Sequence, residues 1–307
     1  MNIKPRLTIY IISCLTFLFS SPKKGIWEQY DYNSGISSNY IFDIEKDEQD
    51  RIWVSTQNGI TLLDGEKTKK YGLSNGLPAT NIVKIVSLND IIYAATSNKG
   101  VYFLSKGDTF KKAEFIQGDK VYTMNAVGSK LFISTKLENV LYDGNKASFM
   151  GNGFPKAKIR DVYVNNGQTV YLADKKVIYK KGNKYVVENM DFESSKTKIK
   201  SYYSFNGIEY FGTNNGLWSR SNNGKLKLIK NIDVLSLEHN QSNTLYVGTK
   251  KGMYYLKNGE LSRYSPSTLE PKDFNKIAVN DIEFIDMLNG IFAFAWRKYG
   301  CVKFLTS

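Results

Sequence analysis

A short apolar strand with an aromatic residue at its centre recurs seven times along this chain, each time followed by a turn and a second strand. The central aromatics are Trp53, Tyr93, Phe132, Tyr171, Tyr210, Tyr246 and Phe292, separated by 40, 39, 39, 39, 36 and 46 residues. A period near 40 in a chain of strands marks propeller blades. One blade cannot bury both of its faces, whereas a closed ring can, because each blade packs on two neighbours. The expectation is an all-β, seven-bladed β-propeller of four-stranded blades, with blades starting near residues 36, 77, 119, 157, 198, 232 and 276.

The copies can be laid side by side. Blade one reads Arg51-Ile-Trp-Val-Ser-Thr-Gln-Asn-Gly-Ile60, blade two Ile92-Tyr-Ala-Ala-Thr-Ser-Asn-Lys-Gly100, and blade six Leu245-Tyr-Val-Gly-Thr-Lys-Lys-Gly252. Gly after a short polar turn supplies the positive φ that closes a hairpin. Blades three and four have Asn139 and Lys176 near that point instead. The strands are apolar on both faces, as expected of strands sandwiched between blades. The last copy has only one strand after Phe292, Cys301 to Leu305, and an orphan strand, residues 26–32, precedes the first copy. Pairing the two would complete the last blade, close the ring and hide two sheet edges.

Residues 1–21 read as a signal peptide: Lys4 and Arg6, then 13 apolar residues from Leu7 to Phe19, then Ser20 and Ser21. That run is short for a membrane span, and no later segment could make one. The mature chain, residues 22–307, is then one exported domain, periplasmic or associated with the cell envelope. Cys14 lies within the apolar run, which disfavours a lipoprotein anchor there. With Cys14 gone, Cys301 is the sole cysteine and no disulfide framework can form. It reads as a small core residue. The single histidine, His239, reads as a surface residue of a polar turn. Metal sites built on His and Cys are excluded by count, and no cofactor is expected. The acidic run Asp47–Asp50 lacks the spacing of a calcium loop and reads as a solvated turn.

Several motifs resemble a known family. Gly72-Leu-Ser-Asn-Gly-Leu-Pro78, Asn81-Ile82-Val83, Ile52-Trp53-Val54-Ser55-Thr56 before Asn58-Gly59, and Asp64-Gly65 resemble the two-component regulator propeller repeat. The opening Trp27, Tyr30, Gly35-Ile36-Ser37 and Asn39 is similar to the start of such regions. The match is partial in blades five and six and weak in blades three, four and seven. The resemblance implies a periplasmic ligand-binding sensor propeller of the kind found in bacterial hybrid histidine kinases. Such sensors continue into an immunoglobulin-like domain, a membrane helix and a kinase; none is seen before Ser307. Direct phosphotransfer is therefore not expected.

Charge adds a second constraint. Lys and Arg total 42 against 29 Asp and Glu, a net charge of +13. The turns joining the second and third strands of each blade share one face of a propeller. They hold Lys99, Lys136, Lys175, Lys176, Lys250, Lys251, Arg297 and Lys298 against Glu138 and Asp174. The connections entering each next blade meet the same face, where propeller funnels bind ligands. Lys99, Lys176, Tyr202, Asn214, Lys250, Lys251, Trp296, Arg297, Lys298 and Tyr299 are the candidate ligand-binding residues. Trp296 beside Arg297 suits a sugar ring carrying a carboxylate or sulfate. The expected partner is an anionic ligand or polysaccharide, or a signalling partner protein. Export and the lack of a recognition helix argue against nucleic acid. A non-catalytic binding sensor is the expected function. The alternative is an exported carbohydrate-active enzyme, a polysaccharide lyase or hydrolase.

Overall fold

The computed structural model describes residues 26–307 except 66, 80, 152, 166, 222–223, 241–243, 265–278, 287–290, 297–299 and 306–307. Residues 1–21, read above as a signal peptide, thus lie outside the described residues, as do Arg297, Lys298 and Tyr299.

Seven four-stranded antiparallel sheets make up the described residues. Strand β1 (Ile26–Tyr30) opens the chain. The first blade is β2 (Ile41–Lys46), β3 (Ile52–Thr56), β4 (Gly59–Asp64) and β5 (Lys67–Tyr71). A 3-10 turn, Leu73–Asn75, leads to β6 (Ile82–Leu88), β7 (Ile91–Thr96), β8 (Val101–Leu104) and β9 (Lys111–Lys112). The third blade is β10 (Val121–Val127), β11 (Lys130–Thr135), β12 (Asn139–Tyr142) and β13 (Ala147–Phe149). The fourth is β14 (Asp161–Asn165), β15 (Gln168–Leu172), β16 (Lys176–Lys181) and β17 (Lys184–Asn189). The fifth is β18 (Ile199–Phe205), β19 (Ile208–Thr213), β20 (Gly216–Ser221) and β21 (Lys227–Lys230). The sixth is β22 (Val234–Asn240), β23 (Thr244–Thr249), β24 (Gly252–Lys257) and β25 (Glu260–Arg263). The last strands are β26 (Val279–Asp286), β27 (Ile291–Trp296) and β28 (Gly300–Leu305).

The expectation of a seven-bladed propeller needs a correction. Six four-stranded blades, not seven, are continuous units of four consecutive strands. The remaining sheet is composite, in the order β1-β28-β27-β26. Its outer strand comes from the start of the chain, with Ile26 opposite Leu305 and Tyr30 opposite Cys301. A chain that folds as a ring without such a strand would leave β28 with an unpaired edge.

The aromatic repeat builds the core. Trp53, Tyr93, Phe132, Tyr171 and Tyr210 each sit on the second strand of a blade and are at least 94% buried. Aromatic contacts run between blades: the rings of Phe132 and Tyr171 lie 5.2 Å apart, edge to face. The second-to-third turns are closed by a recurring threonine. Thr56 Oγ1 donates to Gly59 O, Thr96 Oγ1 to Gly100 O, Thr213 Oγ1 to Gly216 O and Thr249 Oγ1 to Gly252 O, at 2.7–2.9 Å. Blade four, where the repeat has decayed, has Ala173 in that place.

Candidate functional site: an axial cavity with a basic mouth

In the first six blades a buried aliphatic anchor begins the inner strand, or in blade four stands two residues before it: Ile41, Ile82, Val121, Ile159, Ile199 and Val234. Directly after the anchor the ladder slips by one residue in β2, β6, β10, β18, β22 and β26. In blade four, the Arg160 N–H bonds Leu172 O while Asp161 is the register partner of Leu172, again two residues against one. Such bulges re-aim side chains. In the first six blades the residue after the bulge therefore reaches the axis: Asp43, Lys84, Thr123, Asp161, Ser201 and Ser236 all line a central cavity of about 370 Å³.

This cavity is polar and mixed in charge. Lys84 Nζ bonds Asp43 Oδ1 at 2.8 Å, and Asp43 Oδ2 accepts from Ile85 N at 2.7 Å, tying blade one to blade two. Two residues deeper, Glu45 and Glu238 also line the wall. Burial pushes the Glu45 carboxyl up to about 7, against the opposing pull of Lys84 and a hydrogen bond from Ser87 N. Burial likewise raises Glu238 to about 7, offset in part by the His239 N–H. Asp161 is raised by burial too, with Lys84 acting against it. Burial thus favours the neutral form of all three carboxyls.

At one end the cavity meets the second-to-third turns. Arg160 Nε donates to Asp174 Oδ1 of the blade-four turn at 2.7 Å. Lys200 pairs with Asp233, whose other oxygen receives Lys250 Nζ of the blade-six turn at 2.6 Å. Tyr122 shares the same rim and is covered by Lys158, whose Nζ lies 3.8 Å from the ring centroid. Desolvation lowers the Lys158 pKa, and the charges of Arg160, Lys120 and Lys198 lower it further. A groove lined by Gln57, Asn58, Gly72, Ser74 and Asn81 also opens on this face, placing a second-to-third turn beside an inter-blade connection.

The sequence-derived ligand residues fall into four groups. Lys99, Lys176, Lys250 and Lys251 are exposed on the mouth face, Lys250 already paired with Asp233. Tyr202 lines the cavity, but its hydroxyl donates to Glu209 Oε1 at 2.8 Å, so only its ring is available. Asn214 caps a turn: its Oδ1 accepts from Lys198 N at 2.6 Å and its Nδ2 donates to Lys196 O. Trp296 ends β27, with a side chain outside the described residues, and Arg297, Lys298 and Tyr299 lie outside them altogether.

Two sequence readings are corrected. His239 is not on a turn but within β22, half-buried with its ring 4.2 Å from that of Phe205 and 5.4 Å from that of Tyr203. Asp47 is not solvated: it is 3% exposed and accepts from Trp53 Nε1 at 2.7 Å and from Gln49 N, Arg51 N and Arg51 Nε. The cavity acids Asp43, Glu45 and Glu238 stand on inner strands rather than on the turns that the charge pattern singles out. Their signal was a charged residue inside an otherwise apolar inner strand, as in Ile41-Phe-Asp-Ile-Glu45 and Leu235-Ser-Leu-Glu238.

Residues 35–58 match the family model described as "Two component regulator propeller". No curated protein matches the chain. Among solved structures, similarity extends to the extracellular domain assigned to the hybrid two-component system BT3049 of B. thetaiotaomicron. It is 14% identical with a TM-score of 0.75, covering 92% of this chain and 42% of that one. The BT4673 domain of the same organism is 16% identical, with a TM-score of 0.75, covering 92% and 40%. This chain therefore spans about two fifths of the length of those relatives. A catalytically inactive virginiamycin B lyase from Staphylococcus aureus, solved with quinupristin, is 11% identical with a TM-score of 0.71, covering 92% and 99%. At these identities the likeness is one of fold. The chain is a β-propeller that carries a two-component regulator propeller repeat at residues 35–58.

Proposed function

We propose that this chain is a non-catalytic, exported binding propeller of two-component-type signalling, and that it takes an anionic ligand, such as an acidic glycan, on the mouth of its axial cavity. One observation carries the reading: Lys158, Arg160, Lys198, Lys200 and Lys250, from three blades, converge at one end of the cavity. The Lys158 charge is already crowded by its neighbours, so an arriving anion would relieve repulsion. The regulator repeat and the two-component domains of similar fold supply the signalling context.

An enzyme is the second reading, favoured by Glu45 and Glu238, two carboxyls near neutrality in one cavity. Hydrolysis of a glycosidic bond needs two carboxyls flanking it. Incubation with uronic-acid polysaccharides separates the readings. Retention of the polymer without new reducing ends or unsaturated products is expected. Steady product release that stops in a Glu238→Gln variant would replace the sensor reading with the enzymatic one.

A further inference from the structure

Beside the mouth, between blades three and four, lies a separate cleft of about 570 Å³. It is walled by Tyr122, Lys136, Leu137, Phe154, Lys156 and Lys158. Three properties set it apart. First, among the described residues none of Lys120, Lys136, Lys156, Lys158 and Lys198 forms an ion pair, whereas Arg160, Lys200 and Lys250 at the neighbouring rim all do. Second, the one acid in the wall, Glu138, is engaged, with its Oε1 accepting from Gln117 N at 2.7 Å. Third, the wall also offers apolar surface. Leu137 is 68% exposed, and Phe154 is fixed edge-on between Tyr171 and Tyr185 at 5.1 and 4.9 Å.

We infer that this inter-blade cleft is a binding site for an acidic sugar unit of a polysaccharide, its carboxylate or sulfate held by Lys136, Lys156 and Lys158 and its ring face laid on Leu137 and Phe154. The inference deepens the proposed function and rests on its anionic ligand class. Lysines without an ion pair gain more from an anion than paired ones, because no salt bridge must first be broken. Lys158 is held in readiness over Tyr122 by a cation–π contact of 3.8 Å, within reach of both cleft and axial mouth. A chain lying across Tyr122 would therefore meet both. Apolar ring contacts favour a sugar over a bare inorganic anion.

The test is binding of oligogalacturonate to the full chain, with neutral dextran and a DNA oligonucleotide of equal charge as comparison ligands. Three variants are needed: Lys136→Ser/Lys156→Ser/Lys158→Ser in the cleft, Lys99→Ser/Lys176→Ser/Lys251→Ser on the mouth face, and Lys106→Ser/Lys130→Ser/Lys146→Ser on the opposite face. Thermal melts check that each folds. The cleft variant is expected to weaken oligogalacturonate binding at least about tenfold, and the opposite-face variant less than about twofold. If the cleft variant binds like the wild type while the mouth variant fails, the cleft is wrong and the broader reading stands. Equal losses in all three variants would reduce the effect to net charge and overturn the site. Tighter binding of DNA would overturn the sugar as occupant. Failure of every acidic polysaccharide to bind would remove the anionic ligand from both proposals.

Discussion

Trp53 shows how one residue serves both packing and polarity. Its ring is 2% exposed, and its Nε1–H donates to Asp47 Oδ2, whose other oxygen receives Gln49 N and Arg51 N. The indole thus secures a turn as well as filling the blade. Trp53→Ala is expected to cost roughly 3–5 kcal/mol in denaturant unfolding, as for other large buried aromatics. Trp53→Phe keeps most of the volume but leaves Asp47 short of one donor, so about 1–2 kcal/mol is expected. Equal stability of the Phe variant and the wild type would show that the hydrogen bond contributes nothing. The burial of Trp53 was readable from the repeat. Its bond to Asp47 was not, because a carboxylate six residues away looks like part of a polar turn until the hairpin brings it to the N–H edge of the ring.

At the scale of elements, the hairpin turns were the legible part, since their glycines answer a local geometric need. Gly59 has φ +110° and a Cβ there would sit 2.2 Å from Tyr71 O. Tyr71 ends β5 and Gly72 opens the connection that leads to the next blade, so Gly59 is also the point where a turn meets the start of a connection. Gly59→Ala is expected to destabilise by more than about 2 kcal/mol, well above the effect of Gly65→Ala, whose surroundings are open. Comparable losses at both positions would mean that φ alone matters. Strand β1 carries a second expectation. Deleting Ile26–Tyr30 strips β28 of its partner and should lower the melting temperature strongly. A truncated chain that melts like the full one would show that the ring holds without its composite sheet. The inner-strand bulges were not legible, because a one-residue slip leaves no mark in the composition of the strand. They decide which residues reach the axis, and so the acids of the cavity were passed over.

At the scale of the whole molecule, the ring gathers side chains that are far apart in sequence. Asp43 and Glu238 line one cavity from opposite ends of the first six blades. The charge count pointed to an anion-seeking surface. Only the topology shows that basic groups collect at the rim while carboxyls sit inside. This arrangement has a pH signature. Glu45 and Glu238 are raised from 4.5 to about 7, so between those values the folded state binds protons that the unfolded state has released. Their contribution to stability is therefore fully present below about 4.5 and is lost as pH rises through about 7. The melting temperature is expected to rise as pH falls from above 7 towards 5, and the double variant Glu45→Gln/Glu238→Gln should flatten that slope. An unchanged slope in the variant would assign it to other groups. The central claim, that an anionic ligand docks on the mouth face, is tested most directly by lysine acetylation footprinting with and without an acidic polysaccharide. Protection of Lys99, Lys136, Lys156, Lys158 and Lys251, with Lys106, Lys130, Lys146, Lys184 and Lys257 on the opposite face still reactive, is the expected result. Protection spread evenly over both faces, or confined to the opposite one, would contradict it.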